Sequence, residues 1–165
     1  MKTLLLIRHA KSDWDNTSLS DFERPLNERG KRDAPMMGRR LYDRNIPIDT
    51  FIASPAKRAL TTATLIAEEY DVAKEKIVFV DDLYLATPDI FQTIVQNIDD
   101  HFQCAALFSH NPGITDFANT LTSARIDNMP TCSVFAVQIH SDKWSEILDA
   151  EREFLFFDRP KGGGD

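Results

Sequence analysis

The stretch LLLIRHA, residues 4–10, joins four aliphatic residues directly to an arginine and a histidine near the start of the chain. A short apolar run of this kind predicts a buried β-strand. Such a strand, ending at Arg8 and His9, brings a cation and an imidazole to one edge of a sheet. The stretch therefore predicts both a central strand and a chemical site at the end of that strand.

The overall composition is that of a soluble globular domain. The chain has 165 residues, of which 42% are hydrophobic and 27% charged, and this length is enough to bury a core. The net charge of −7 works against nucleic acid or an anionic membrane as a partner, and no segment approaches the roughly 20 apolar residues of a membrane span. Any phosphate site must therefore depend on a local cluster of arginines.

Cysteine content and the chain ends give further expectations. Cys104 and Cys132 lie in apolar stretches, which indicates buried free thiols rather than a disulfide scaffold. The apolar run at residues 4–7 is too short for a secretory signal and is ended by Arg8, so we expect a cytoplasmic protein. We also expect one domain over residues 1–160 and a disordered tail at the glycine-rich residues 161–165.

Short apolar runs alternate with longer amphipathic ones along the chain. The predicted strands cover residues 3–8, 50–53, 77–80, 105–109 and 133–139, with weaker signals at 146–148 and 154–157. The predicted helices cover residues 27–44, 56–70, 88–100 and 112–121, with Asn27, Thr87 and Asn111 as N-caps. This order predicts a three-layer α/β/α sandwich with a mainly parallel central sheet. The strand at 133–139 follows a loop, so an antiparallel member is expected there.

Polar side chains follow three of the predicted strands at their carboxyl ends. Arg8 and His9 end the first strand, Arg58 follows the second, and His110 follows the fourth. Ligands of open α/β sheets bind beyond these strand ends. Arginine binds phosphate through its planar fork, helix N-termini favour anions, and a histidine among them serves as nucleophile or proton carrier. The pattern predicts a phosphoryl site.

A metal site is the competing interpretation of two histidines at one sheet edge. The sequence has no HExxH motif and no cluster of ligands with metal spacing, and adjacent arginines repel a cation. His101 and His140 fit structural or surface positions. We therefore expect neither a metal nor another cofactor.

Three motifs resemble those of the histidine phosphatase superfamily, which includes phosphoglycerate mutases and acid phosphatases. They are RHA at residues 8–10, SPAKRALTTA at residues 54–63 and SHNPG at residues 109–113. The short length, the Arg-His-Ala variant and FERPL at residues 22–26 look most like the SixA-type phosphohistidine phosphatase branch. The resemblance implies a phosphoglycerate mutase-like fold.

The resemblance also implies roles for individual residues. His9 would attack phosphorus and carry the phosphoryl group as a covalent phosphohistidine. Arg8 and Arg58 would hold its oxygens, and His110 would be the second histidine that contacts phosphate. Arg24 matches a further arginine of this branch, and Ser12 and Asn111 are candidates for hydrogen bonds to substrate, although either fits a cap equally well.

The larger members of the superfamily have a glutamate that protonates a leaving alkoxide, and no glutamate here clearly matches it. Asp81 and Asp82 are the nearest candidates, and Asp82 aligns better with the branch, although either fits a strand-end turn. An imidazole has a conjugate-acid pKa of about 6.5, so it leaves phosphorus more easily than an alkoxide does. The weak acid catalysis therefore favours a phosphoramidate substrate.

The sequence thus predicts a metal-independent phosphatase that acts through His9 on phosphohistidine in proteins. A small-molecule phosphomonoesterase and a non-catalytic phosphate-binding module are the alternatives. The partner is accordingly a phosphorylated protein or a small phosphorylated substrate. The long polar stretch at residues 11–30 is predicted to be a functional or mobile loop, because it shows little periodicity.

Overall fold

A computed structural model describes residues 1–160 of the chain. Its strands are β1 (Lys2–Arg8), β2 (Thr50–Ala53), β3 (Val78–Phe79), β4 (Cys104–Ser109), β5 (Val134–Ile139) and β6 (Arg152–Asp158). Its α-helices are α1 (Glu28–Asp43), α2 (Lys57–Glu69), α3 (Pro88–Gln96) and α4 (Gly113–Leu121). Short 3-10 helices lie at Asp21–Glu23, Lys74–Lys76, Asp81–Leu83 and Trp144–Glu146. The predicted tail at 161–165 lies outside the described residues.

The strands form a sheet in the order β3-β2-β4-β1-β5-β6. Strands β3, β2, β4 and β1 are parallel, whereas β5 runs antiparallel to β1. In the register of β1 with β4, Arg8 lies beside Ser109. The carboxyl ends of the parallel strands therefore meet at one edge of the sheet, which is where the predicted polar residues follow.

Helices cover both faces of the sheet, and the alternation of side chains along β1 shows how. Leu5 and Ile7 pack in the cluster that contains the buried residues of α1 and α2, while Leu4 and Leu6 pack in the cluster of α3 and α4. All four of these side chains are fully buried. The three-layer α/β/α sandwich with a mainly parallel sheet is therefore confirmed.

The predicted strand at 146–148 is wrong. The chain forms the 3-10 helix Trp144–Glu146 there, and the Trp144 indole N–H donates to the carbonyl of Phe102 at 2.9 Å. Trp144 and Ile147 are both buried and lie three residues apart, a helical spacing. The apolar residues of this segment thus follow the period of a turn rather than that of a strand.

Helix α3 differs from its prediction at both ends, whereas the predicted cap of helix α1 is present. Helix α3 ends at Gln96 rather than at residue 100, because the N–H groups of Asn97 and Ile98 bond to carbonyls three residues back and tighten the last turn. The Asn27 side chain accepts from the Gly30 N–H at 2.9 Å, which confirms that cap. Thr87 stands at the predicted cap position of α3, but its side chain makes no capping hydrogen bond.

The polar stretch between β1 and α1 is anchored at both ends. Ser12 pairs with Leu26 as an antiparallel bridge, and the Asn27 N–H donates to the Lys11 carbonyl at 3.0 Å. A side chain at Gly30 would overlap the same Lys11 carbonyl, so this close approach requires glycine. The loop is therefore built against the strand end that precedes it.

The two cysteines are buried and unbonded, as predicted. Burial raises the pKa of the Cys104 thiol to about 12, so this thiol stays protonated. No helix within residues 1–160 combines the length and the hydropathy that crossing a bilayer requires.

Candidate active site

A polar pocket of about 280 Å³ opens at the carboxyl edge of the parallel strands. The residues that line it are Arg8, His9, Lys11, Ser12, Trp14, Arg24, Arg58, His110, Asn111 and Thr131. The structure thus brings together seven of the eight residues predicted for the site and leaves out Asp82. It adds Lys11, Trp14 and Thr131, which the sequence motifs did not single out.

His9 directly follows β1 and is buried at the base of this pocket. Its Nδ1 lies 2.8 Å from the carbonyl oxygen of Ala10. Because a carbonyl only accepts, Nδ1 carries the proton and Nε2 keeps a lone pair. Burial, reinforced by His110 and Arg58, outweighs the Ala10 hydrogen bond and lowers the pKa of His9 to about 3. His9 is therefore neutral at pH 7, the form in which an imidazole is a nucleophile.

A single hydroxyl group connects the strand of His9 to helix α2. The Ala10 N–H donates to Oγ1 of Thr62 at 2.9 Å, and the Thr62 hydroxyl donates to the Arg58 carbonyl at 2.8 Å. Thr62 is fully buried. The position of His9 is thus linked to that of Arg58.

Arg58 lies in the first turn of α2 and reaches the loop that contains Asp21. Its Nη1 donates to the Asp21 carbonyl at 2.6 Å, and its Nη2 donates to Asp21 Oδ2 at 3.0 Å. Within the described part of the chain, its buried Nε has no hydrogen-bond partner. Arg8, at the end of β1, donates from Nη1 to the Met129 carbonyl at 2.9 Å. Guanidinium groups from distant parts of the chain therefore line one pocket.

Arg24 is held on three sides. Its Nη1 donates to Ser12 Oγ at 2.8 Å, and its Nε and Nη2 donate to Asp21 Oδ1 at 3.3 and 2.9 Å. The Trp14 ring covers the guanidinium at 3.5 Å. Arg24 is 8% exposed, so its plane and direction are fixed before any ligand binds.

Asp21 is the carboxylate that links these arginines, and sequence reasoning missed it. It bonds to Arg24 and Arg58, and it accepts from the Tyr84 hydroxyl at 2.6 Å. Partial burial acts to raise its pKa, but the hydrogen bonds from Tyr84, Arg24 and Arg58 hold the pKa well below its ordinary value. Asp21 follows no strand and belongs to no motif; the available signal was its spacing of three residues from Arg24.

His110 follows β4 and contacts His9. The two ring centroids are 5.1 Å apart, and His110 Nε2 lies 2.8 Å from Ser54 Oγ. Burial, with a contribution from the positive charge of Arg58, lowers the pKa of His110 to about 3. Within residues 1–160, the buried Nδ1 of His110 has no hydrogen-bond partner.

The structure does not bring Asp82 into the pocket. Asp82 is exposed in the 3-10 helix after β3 and lines a separate cavity with Thr93 and Asn97. The inward position of this turn belongs to the buried Leu83, whose carbonyl accepts from the Ser109 hydroxyl at 2.6 Å. The turn that follows β3 therefore directs the aspartate away from His9.

Asn111 lines the pocket but does not cap α4 as predicted. Its amide donates to the Met129 carbonyl at 3.0 Å and to Asn128 Oδ1 at 2.9 Å. Its oxygen accepts from the Thr115 hydroxyl at 2.5 Å. Asn111 and Arg8 therefore both donate to the Met129 carbonyl and hold the same segment.

The charge of the pocket is opposite to that of the whole chain. Four cationic side chains line it, namely Arg8, Lys11, Arg24 and Arg58, although the net charge of the chain is −7. No group of three His, Cys, Asp or Glu side chains within residues 1–160 is arranged to hold a metal ion. The local positive potential favours an oxyanion such as a phosphoryl group.

Residues 4–83, which contain His9, Arg24 and Arg58, match the family model of the histidine phosphatase superfamily, branch 1. The match assigns residues 4–83, just under half of the chain, to this superfamily. Together with the pocket of arginines around a neutral histidine, it supports a histidine phosphatase.

Curated relatives match this chain over all or over part of their own length. An uncharacterized chloroplastic protein of Arabidopsis thaliana is 29% identical over 89% of this chain and 71% of its own length. An uncharacterized protein of Mycobacterium leprae is 27% identical over 94% of this chain and 100% of its own length. The mitochondrial serine/threonine-protein phosphatase Pgam5 of Drosophila melanogaster is 35% identical, but over only 46% of this chain and 25% of its own length.

Solved structures share the fold of this chain. SixA from Agrobacterium tumefaciens superposes with a TM-score of 0.80 at 22% identity, covering 96% of this chain and 98% of that one. The protein histidine phosphatase SixA complexed with tungstate gives a TM-score of 0.82 at 16% identity, with coverage of 97% and 98%. The phosphoglycerate mutase-like fold expected from the motifs is confirmed.

Proposed function

We propose that this protein dephosphorylates phosphohistidine side chains of proteins through a covalent intermediate on Nε2 of His9. The observation that carries the proposal is the state of His9. Its Nδ1–H is held by the Ala10 carbonyl, its ring is neutral, and it shares the pocket with Arg8, Arg24 and Arg58. These are the requirements for attack on phosphorus followed by charge stabilisation.

The proposed reaction has two displacement steps at phosphorus. In the first, the phosphohistidine ring has taken a proton from solvent on its other nitrogen; the Nε2 lone pair of His9 forms a bond to phosphorus while the P–N bond breaks, and its electron pair leaves with the substrate as a neutral imidazole. In the second, water attacks phosphorus, the bond to Nε2 breaks, and the proton of the water passes to phosphate or solvent. Because the Ala10 carbonyl keeps the proton on Nδ1, His9 leaves as a neutral imidazole.

In this mechanism the positive charge comes from protein side chains and no metal takes part. Arg8 and Arg58 bind the phosphoryl oxygens, which spread their charge in the transition state. Arg24 is fixed in direction by Ser12 and Asp21, so its donors need no reorganisation. His110 and Asn111, which also line the pocket, add neutral polar contacts.

The electrostatic state of Asp21 supports a phosphoramidate substrate. Its hydrogen bonds to Tyr84, Arg24 and Arg58 keep its pKa low, so Asp21 stays ionised and cannot protonate a leaving group at neutral pH. An alkoxide leaves slowly without such help. An imidazole, with a conjugate-acid pKa of about 6.5, leaves readily.

The likeness to the protein histidine phosphatase SixA supports a protein as the carrier of the phosphohistidine. That SixA structure contains tungstate, a tetrahedral oxyanion of the same shape as phosphate. We also infer one catalytic domain over residues 1–160 and a cytoplasmic location, supported by the two buried free thiols.

Trapping the intermediate tests this proposal. Wild-type protein is mixed briefly with a phosphohistidine peptide labelled with ³²P, quenched in alkali and mapped by mass spectrometry. The label is expected on His9, and the variant His9→Asn should retain its fold and take up no label. His101→Asn, a change at an exposed histidine, is the matched control and should label normally.

Comparison of substrates tests the leaving group. We expect kcat/KM to be higher for phosphohistidine than for an aryl phosphate, and lowest for an alkyl phosphate, with the same values in EDTA. Label on another residue, a preference for the alkyl ester, or loss of activity in EDTA would each contradict the proposed function.

A further inference from the structure

Trp14 is a large apolar side chain that the fold leaves in solvent. It is 67% exposed, yet it lines the pocket that contains His9 and Arg58. One face of its ring lies on the Arg24 guanidinium at 3.5 Å. The exposure of the side chain leaves the other face accessible at the mouth of the pocket.

The stack of Trp14 on Arg24 is not needed to orient the arginine. Ser12 holds Nη1, and Asp21 holds both Nε and Nη2. The guanidinium plane is therefore set by three hydrogen bonds, and the indole lies on a platform that is already fixed. Through this stack, which gains from the attraction between a guanidinium and an indole face, Arg24 holds the ring of Trp14 in place.

The aromatic side chains that line this pocket differ in their exposure to solvent. Among the described residues that line it, His9 and His110 are aromatic but buried and contact each other. Trp14 is the aromatic residue of this lining that is exposed. A phosphoryl group bound among the arginines must leave the group that carries it near the pocket mouth, where the Trp14 ring lies.

We propose that the exposed face of Trp14 stacks on the imidazole ring of the substrate and selects phosphoryl groups carried by a planar ring. The inference rests on the proposed function, because it takes the substrate to be phosphohistidine. Stacking of this kind lowers the dissociation constant about 3- to 10-fold. Trp14 is thus a specificity-determining residue, whereas His9 and the arginines act on the phosphoryl group that every substrate shares.

The test compares two substrates that differ in the ring. Phosphohistidine carries an imidazole on phosphorus, whereas phosphoramidate carries only an amino group. In the variant Trp14→Ala, kcat/KM for phosphohistidine should fall about 3- to 10-fold, and kcat/KM for phosphoramidate should stay unchanged. Trp14→Phe keeps an aromatic face and should restore most of the loss.

Each other outcome has a definite meaning. An equal loss on both substrates would mean that Trp14 acts through Arg24, and no loss on either would mean that the ring contacts no substrate; both overturn the inference while the proposed function stands. Failure of the wild-type protein to hydrolyse phosphohistidine, with normal turnover of an alkyl phosphate, would overturn the proposed function itself.

Fluorescence gives a readout that does not depend on turnover. In the His9→Asn variant, phosphohistidine should change the tryptophan emission, and inorganic phosphate at the same saturation should not. The chain has two tryptophans, and the second, Trp144, is buried. The double variant His9→Asn/Trp14→Phe therefore supplies the background. A signal that persists in the double variant would argue against stacking on Trp14.

Discussion

The imidazole rings of His9 and His110 are in contact, with centroids 5.1 Å apart and planes inclined by 51°, and both rings are neutral at physiological pH. Burial is the main cause in each case, and it lowers both pKa values to about 3. Two cations side by side would repel each other and the surrounding arginines. The neutral pair instead leaves the positive charge of the pocket to groups that do not titrate.

This pair makes the stability of the fold depend on pH. The folded pKa of about 3 is below the unfolded value of about 6.5, so the unfolded chain binds protons first. The stability contribution is present above pH 6.5 and is lost as the pH falls toward 3. Between pH 7 and pH 5 the free energy of unfolding should fall by about 2 kcal/mol per histidine. Urea unfolding of wild type and His110→Asn measures this, and an equal fall in both would contradict it.

Asp21 should weaken the binding of phosphate in the pocket. The variant Asp21→Asn keeps the shape of the side chain and one accepting oxygen, but removes the negative charge beside Arg24 and Arg58. Because that charge is worth about 1 kcal/mol at such distances in water, inorganic phosphate should inhibit about fivefold more strongly. Asp82→Asn is the control and should change neither inhibition nor rate. A loss of kcat in Asp82→Asn would instead favour the acid role predicted from the sequence.

Arg58 should not be replaceable by lysine. Lysine keeps the charge but has no planar fork, and so it cannot bond the Asp21 carbonyl and carboxylate while also binding a phosphoryl oxygen. We expect kcat/KM of Arg58→Lys to fall about 10²-fold in steady-state assays. The adjacent Lys57 is exposed, and Lys57→Ala should retain the wild-type value; equal losses in the two variants would point to a change in helix α2 instead.

Thr62 should matter for both stability and rate. The variant Thr62→Val removes the hydroxyl between the Ala10 N–H and the Arg58 carbonyl and leaves a buried donor unpaired, at a cost of about 1–3 kcal/mol. Because the same bond positions the chain beside His9, kcat should fall as well. As a control, Thr64→Val removes a hydroxyl that bonds the Leu60 carbonyl of its own helix. Similar values for the two variants in chemical unfolding and in kinetics would refute the link.

The parallel sheet and the residues at its edge could be predicted because both depend on local signals. Strand β1 is a continuous apolar run, and the β-α order puts the ends of parallel strands at one edge. Arg8, His9 and His110 lie at the ends of such strands, and Arg58 lies in the first turn of the helix that follows β2. That these side chains share one pocket could therefore be predicted without knowing how the loops fold.

The loop residues could not be predicted in the same way. Asp21 and Trp14 reach the pocket because residues 11–30 fold back against β1 through the Ser12–Leu26 bridge, and no periodic pattern encodes that path. Tyr84 reaches Asp21 from the turn after β3, 63 residues further along the chain. Such contacts depend on tertiary structure, so the sequence indicated Asp82 in that turn but gave no sign of the hydrogen bond from Tyr84 to Asp21.

The site is thus divided between two kinds of structure. His9 and His110 directly follow core strands and Arg58 lies in the first turn of α2, whereas Trp14, Asp21 and Arg24 belong to one surface loop. A change of loop sequence can therefore alter which phosphorylated molecules are accepted without rebuilding the reactive centre. For protein engineering, the exposed positions of this loop are therefore the ones to vary, and the strand ends are the ones to keep.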